Sequence, residues 1–313
     1  MCRGASGGRN RDHGRGNPVK RRCSPLSKKM TVTYYHHSGF SVASGDVLLV
    51  FDYWRGKNRK LPDALGVTPE LLARYNEVYV FISHEHEDHF DGVVYDWERY
   101  APVTYIIADC LPGDAKGIRM DKGDEKKLSE RVMVKAYGST DSGVSFLVTL
   151  DGVSFFHAGD LNFWHWREVS NAKQIQMAEE DFRSEMADLT NVEMDVAFFP
   201  VDPRMGMLFD AGANYFMLTA KPRLLLPMHF WGRSDVMVEF ARRSRSRETE
   251  VIALTNHGQA LKLDIEDDGF MSISLLPPPV TASAHPMTEH AVSLDGYEGA
   301  DPFHETDLPI DMH

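Results

Sequence analysis

Between Phe81 and Gly92 the chain reads Phe-Ile-Ser-His84-Glu-His86-Glu-Asp88-His89-Phe-Asp-Gly, which sets three histidines and an aspartate within six residues behind an apolar run. That density of imidazole is a metal-binding signal. Imidazole nitrogen suits borderline divalent ions and carboxylate oxygen suits harder ones, so the set favours zinc and leaves manganese or iron open. Alternate residues of an extended segment point the same way, so His84 and His86 can share one cation. Asp88 and His89, a turn further on, then face a neighbouring position. One or two divalent ions are expected here.

Ligands so placed need a strand that stops just short of them. The apolar run at residues 78–82 supplies it and leaves the histidines on the loop at its carboxyl end, where functional residues concentrate. Upstream, residues 31–52 alternate short β-rich runs separated by Gly39 and by Gly45-Asp46, which predicts an antiparallel meander. Thr68-Pro69-Glu70 has the cap, first-turn proline and early acid of a helix start. Further strands are expected at residues 103–107, 132–136, 144–150 and 153–156, the last two joined as a hairpin by Asp151-Gly152. Ile175, Ala178, Phe182, Met186 and Leu189 recur in steps of three and four, predicting a packing helix over residues 173–189. Then come a strand at 196–199, a helix at 211–220 stopped by Lys221-Pro222, a strand at 224–226, another helix, and strands near Val251 and Leu261. A β-rich first half and an α/β second half, with no repeat and no linker, predict one α+β domain of stacked sheets clothed in helices over residues 30–276. Arg242, Arg243, Arg245 and Arg247 fall where a helix should end, a favourable place for solvated cations.

The pattern His-x-His-x-Asp-His resembles the signature of the metallo-β-lactamase-fold hydrolases, and the resemblance spans roughly residues 31–275. It implies a four-layer αββα sandwich. The diiron flavoprotein branch of that superfamily resembles His-x-Glu-x-Asp instead; this chain has His86 where that Glu would stand, which favours hydrolysis over oxygen chemistry. By resemblance, Asp52 in Val50-Phe51-Asp52 orients a ligating histidine, Asp160 in Phe156-His157-Ala158-Gly159-Asp160 bridges two metals, and His229 in Pro227-Met228-His229-Phe230 ligates the second. The stretch His36-His37-Ser38-Gly39-Phe40 resembles the entry hairpin lining the site. The expected metal ligands are thus His84, His86, Asp88, His89, Asp160 and His229. His157 is expected to support the site by hydrogen bonding, His37 to line it or simply pack, and His257 to be structural. Most of the superfamily supplies a third histidine to the first metal from the loop that here reads Ala136-Tyr137-Gly138-Ser139-Thr140-Asp141-Ser142-Gly143. Either Asp141 substitutes, or one metal suffices. The text His-Ala-Gly-Asp, then an aromatic loop, then Pro-Met-His, is similar to the L-ascorbate-6-phosphate lactonase-like group. In that aromatic loop Trp164 and Trp166 read as a substrate wall or as core, and Asn162 and His165 as polar members able to reach a substrate. Arg204 is placed to meet an anionic group or to sit on the surface.

The resemblance implies a metal-dependent hydrolase of lactonase, esterase or phosphodiesterase type. A metal-bound hydroxide would attack a small, anionic ester, lactone or phosphoester, with Asp88 or Asp160 orienting it and moving the proton. The alternatives are a phosphodiesterase or nuclease like the tRNA 3′-processing branch, or a catalytically silent metal-binding protein. Charge bears on this choice. Residues 1–29 hold nine Lys/Arg against one Asp, residues 277–313 hold seven acids and no Lys/Arg, and the body between carries about −13 of the total −12. An acidic body disfavours nucleic acid as a partner, since a phosphate backbone needs a basic groove. Small-molecule substrate is the expected partner, and homo-oligomerisation is open. No apolar run reaches the roughly 18 residues that cross a bilayer. The three cysteines, Cys2, Cys23 and Cys110, make no disulfide framework and point to the cytoplasm. The Gly/Arg/Ser-rich residues 1–29 are expected to be a disordered basic extension, with Met30 a candidate true start, and the Pro-rich residues 277–313 a disordered acidic tail.

Overall fold

The β-branched and aromatic runs become fifteen strands among the described residues, arranged as two mixed sheets. The computed structural model describes residues 27–166, 169–244, 246 and 248–279. In chain order the first sheet's strands are β1 (Lys28–Tyr34), β2 (Phe40–Ser44), β3 (Val47–Phe51), β4 (Glu77–Ile82), β5 (Val103–Ala108) and β6 (Ile118–Met120). The second sheet takes β7 (Glu125–Lys127), β8 (Val132–Tyr137), β9 (Ser145–Leu150), β10 (Val153–His157), β11 (Val196–Pro200), β12 (Leu224–Met228) and β13 (Glu250–Val251). The chain then returns to the first sheet with β14 (Ala260–Ile265) and β15 (Met271–Leu275). The spatial orders are β15-β14-β1-β2-β3-β4-β5-β6 and β13-β12-β11-β10-β9-β8-β7.

Each sheet is antiparallel on one side and parallel on the other. Strands β3 to β6 run parallel, as do β10 to β13. Strands β3, β11 and β12 are buried along their whole length, as strands covered on both faces must be. The sheets meet through rings: Phe40 and Phe51 of the first lie 4.5 and 5.7 Å from Phe198 of the second, and Phe81 lies 5.6 Å from Phe146. Outside the second sheet, α2 (Ala172–Leu189) and α3 (Ala211–Thr219) pack together, and Phe216 stacks on Phe156 and Phe199. Outside the first sheet the cover is thinner. The one-turn α1 (Pro69–Leu72) and the 3-10 segment Gly92–Arg99 lie there, Trp97 packing on Tyr53 at 5.0 Å and Tyr105 donating to the Val94 carbonyl. Helix α4 (Ser234–Arg243) follows β12. This is the expected α+β, four-layer sandwich.

Several boundaries differ from expectation. Strand β1 starts at Lys28, two residues before the expected domain start at 30, because Lys28 and Lys29 pair with Ile265 and Asp264 on a strand that reaches past Met30. The helix opened by Thr68, whose hydroxyl accepts from the Leu71 amide, lasts one turn. Strands β6, β7 and β15 were not anticipated; each is short or largely exposed and so lacks an apolar alternation. Arg242 and Arg243 do close α4, paired with Glu239 and Asp210. Arg245 and Arg247 lie outside the described residues, as do most of the expected disordered segments 1–29 and 277–313, namely residues 1–26 and 280–313; Lys28 and Lys29, expected to be disordered, belong to β1. No helix among the described residues is long and apolar enough to cross a membrane.

Candidate metal centre

The loops leaving the carboxyl ends of parallel strands converge at one end of the sandwich. Asp52 follows β3, residues 83–89 follow β4, Gly159 and Asp160 follow β10, Asp202 follows β11 and His229 follows β12. The β1–β2 turn adds His37, and the β8–β9 turn adds Asp141. Close approach of the two sheets at this end depends on glycine. A Cβ on Gly143 (φ +72°) would sit 1.9 Å from the Ser83 carbonyl oxygen, and one on Gly159 (φ +53°) 2.9 Å from the Ser83 Cβ. Four non-glycine residues at the centre also hold positive φ: His37 at 53°, Asp52 at 39°, His229 at 62° and Trp231 at 50°. Such backbone is strained and persists where surrounding contacts enforce it.

The donor atoms gather in three overlapping groups, His37/Asp88/His89/His229, His84/His89/Asp160 and His86/Asp141/Asp160, each within 4.8 Å internally. Asp160 splits its oxygens between them: Oδ1 lies 3.0 Å from His89 Nε2 and 3.4 Å from His229 Nε2, while Oδ2 lies 3.5 Å from His84 Nε2. Asp88 Oδ2 lies 3.1 Å from His37 Nε2 and 3.6 Å from His229 Nε2. These atoms are close without being bonded. His37, His84, His89 and His229 Nε2 and Asp160 Oδ1 are buried and make no hydrogen bond with the described residues. Leaving so many buried polar atoms unsatisfied would be costly. Donors held about 2.0–2.1 Å from one tetrahedral ion, however, stand roughly 3.4 Å apart and do not align on each other. The residues fit a metal ion.

Hydrogen bonds on the far side of each ring aim these nitrogens inward. Asp52 Oδ2 accepts from His89 Nδ1 at 2.7 Å and from the Ser83 hydroxyl at 2.6 Å, while Oδ1 accepts from the Ser83 amide. Having donated its proton, the Ser83 hydroxyl accepts from His84 Nδ1 at 2.9 Å. Asp202 Oδ2 accepts from His229 Nδ1 at 3.0 Å. In all three rings the proton thus sits on Nδ1 and the Nε2 lone pair faces the cluster, the tautomer that carboxylate support imposes on metal-binding histidine.

Electrostatics agree. Burial, reinforced by neighbouring His229, pushes His37 down to about 3, and burial with His89 pushes His84 down to about 4, so both rings are neutral. Burial works against ionised Asp160 and Asp88, yet the surrounding histidines outweigh it and hold both well below the carboxylate range. Burial would also depress His89, but Asp160, Asp52 and Asp88 hold it well above the ordinary imidazole value. A field that favours positive charge at His89 equally favours a cation bound at its Nε2. Buried carboxylates beside neutral imidazoles need such a charge.

Each residue singled out in the sequence can be placed. His84, His89, Asp160 and His229 are buried at the cluster, and Asp88 is partly so. His84 and His86 have rings 4.6 Å apart, yet His86 is exposed and its donor groups with Asp141 and Asp160 rather than with His84. Asp141 is therefore where the missing histidine was sought. His157 spends both nitrogens locally, Nε2 donating to the Ser38 carbonyl and Nδ1 accepting from the Gly159 amide. His257 bonds His36 at 3.1 Å. Trp164 pins its loop by donating to the Asp160 carbonyl, lies 5.6 Å from the His229 ring and stacks on Trp166. Arg204 is held by Asp202 at 2.7 Å and lies over Trp231 and Trp166. Asn162 and His165, expected as polar members able to reach a substrate, are instead buried, Asn162 Oδ1 accepting from the Phe163 amide and the His165 ring packing on Phe163. Asp202 and Ser83 escaped sequence reasoning. Asp202 carried a usable signal, since Phe199-Pro200-Val201-Asp202 ends an apolar strand as Val50-Phe51-Asp52 does; Ser83 carried none beyond preceding His84.

Comparison with known proteins gives a consistent picture. The family model of the beta-lactamase superfamily domain matches residues 31–229. A UPF0173 metal-dependent hydrolase of Nitratidesulfovibrio vulgaris is 26% identical over 272 residues, 76% of this chain and 97% of that protein. One of Opitutus terrae is 24% identical over 266 residues, 75% of this chain and all of that protein. Among solved structures, a metallo hydrolase of the archaeon Ignicoccus hospitalis superposes with a TM-score of 0.54 at 19% identity, covering 75% of this chain and 98% of that one, a likeness of fold.

Proposed function

Because the chain belongs to the beta-lactamase superfamily, by a family match over residues 31–229, we propose that it is a metal-dependent hydrolase working at the His/Asp centre. The observation that carries this reading is the convergence of buried, unbonded donor atoms from His37, His84, His89, Asp160 and His229. The relatives named as metal-dependent hydrolases support it. We assign His89, Asp160, Asp88 and His229 to the deeper metal position, His86 and Asp141, with Asp160 shared, to the outer one, and His84, whose donor groups with His89 and Asp160, between the two. Each position mixes imidazole with carboxylate, a donor set that suits zinc or manganese. A divalent ion held by these residues would supply an acidified water and a Lewis acid for the carbonyl or phosphoryl oxygen under attack.

The chain's own residues do the rest. Asp52, Ser83 and Asp202 fix the imidazoles, so no reorganisation accompanies the reaction. Asp88, whose side chain is 20% exposed against 6% for Asp160, is the carboxylate with more access to substrate, and it or Asp160 would orient the attacking water and move its proton. Trp164, Trp166 and Trp231 wall the approach, and the Arg204 guanidinium among them attracts negative charge. These features support a small anionic ester, lactone or phosphoester as substrate, the ascorbate-6-phosphate lactonase-like reading among them.

The test is metal content together with turnover on a panel of lactones, carboxylic esters and phosphodiesters, for wild type and Asp160→Ala. Wild type is expected to hold one or two divalent ions and to hydrolyse members of one class, with Asp160→Ala falling at least about 100-fold. Full turnover after the metal has been stripped would sink the proposal.

A further inference from the structure

His37 has no counterpart in the ligand set assigned above, yet its surroundings match those of the ligands. The ring is 3% exposed and its centroid lies 4.1 Å from that of His229 and 5.8 Å from that of His89. Its Nε2 is among the buried atoms that make no hydrogen bond with the described residues. The 3.1 Å approach to Asp88 Oδ2 is thus close but misaligned, the relation two donors have when both point at a third body. The backbone confirms that the position is enforced. His37 and His229 both hold left-handed φ, at 53° and 62°, and the His229 amide donates to the His37 carbonyl at 3.3 Å. One bond therefore locks two strained histidines, from the β1–β2 turn and the end of β12, with their rings facing each other. Glycine at position 39, where an added Cβ would meet the His36 carbonyl oxygen at 3.0 Å, lets the turn close tightly enough to deliver the ring.

We propose that His37 is itself a ligand of the deeper metal position, which this chain then builds from three imidazoles, His37, His89 and His229, with the carboxylates of Asp88 and Asp160. The proposal rests on the reading that the cluster holds a divalent ion. Neutral His37 offers a lone pair, as a ligand must. A third imidazole would make the deeper position the nitrogen-rich one and the first to fill, which accounts for a protein that lacks the usual histidine at the outer position.

The rival role is positioning, with His37 merely donating to Asp88, and two substitutions separate them. Gln at position 37 keeps a donor for Asp88 but is a poor ligand; Asp can ligate but repels Asp88. The measurement is cobalt(II) affinity by competition with a chelating dye, together with the visible spectrum of the cobalt-loaded protein. Ligation predicts affinity in the order wild type, His37→Asp, His37→Gln, with His37→Gln weakened at least about 10-fold and its spectrum altered. The reverse order of the two variants, or His37→Gln matching wild type in affinity and spectrum, overturns the proposal. Crystals of zinc-loaded wild type give an answer that needs no variant. His37 Nε2 at about 2.0–2.1 Å from the anomalous peak upholds ligation, and a separation beyond 3 Å overturns it. Wild type that binds no divalent ion would instead overturn the hydrolase reading, and this proposal with it.

Discussion

Two aspartates at strand ends govern how the imidazoles are presented, and the second does more than the first. Asp52 serves His89 and, through Ser83, His84. Asp202 serves His229 and also takes the Arg204 guanidinium and the Trp231 indole NH, at 2.7 and 3.3 Å on the same Oδ2. Burial would raise its carboxyl, but bonds from His229 and Arg204 hold it at about 2, so it is ionised throughout the working range. Asp202→Asn keeps the shape but weakens the acceptor that fixes His229 Nδ1–H. Metal affinity is expected to fall roughly 10–100-fold, the usual effect of losing an outer partner, while the fold is kept. Dye competition measures it; unchanged affinity would mean His229 is fixed by packing alone.

At the scale of elements, the strands at residues 78–82, 196–199 and 224–226 were readable, and so was the strand–loop logic of the site, because fully buried runs such as residues 78–82 and 196–199 end abruptly in acids and histidines; that these strands pair in parallel was not. Strands β6 and β7 were not, since three-residue edge segments are made by the neighbour that pairs with them and not by their own pattern. The place of Asp141 was also beyond local reading. It depends on Thr140, whose hydroxyl donates to the Asn162 carbonyl and accepts from its amide, tying two loops 22 residues apart. His37 was legible only as an even choice between lining and packing, because a turn histidine gains meaning from what faces it. Gly143 tests how the β8–β9 turn docks. Gly143→Ala places a Cβ against the Ser83 carbonyl at positive φ, and should cost about 1–3 kcal/mol from the backbone alone, with more from the clash. Gly92→Ala, which meets nothing within 4 Å, is the control and should stay within about 0.5 kcal/mol. Urea midpoints compare them; equal loss in both would show that the docking at Ser83 is loose.

For the molecule as a whole, the centre weighs on stability as well as chemistry. His37, His84 and His157 are buried with values pushed below the ordinary 6.5, by burial first in each case. The unfolded chain takes up these protons near pH 6.5 while the folded one refuses them, so stability falls as pH drops from 6.5 toward 4.5. His89, held above 6.5, acts in the opposite sense, its contribution present below 6.5 and fading as pH rises through the raised value. With part-buried His36 and His257 lowered in the same sense, five groups against one leave a net loss on acidification, at most about 1.4 kcal/mol per pH unit for each net proton. Urea melts of metal-stripped protein at pH 7.5 and 5 should show it, and a midpoint that rises in acid would refute it. The ring of indoles has a separate consequence. Trp54, Trp164 and Trp231 lie within 5.7 Å, centroid to centroid, of His37 or His229, and Trp166 stacks on Trp164, so four of the five tryptophans surround the centre. The protein carries its own optical reporter. Cobalt(II), which absorbs in the visible and is paramagnetic, should quench most of the intrinsic emission as it loads. The titration's break point then counts bound ions without any label or substrate.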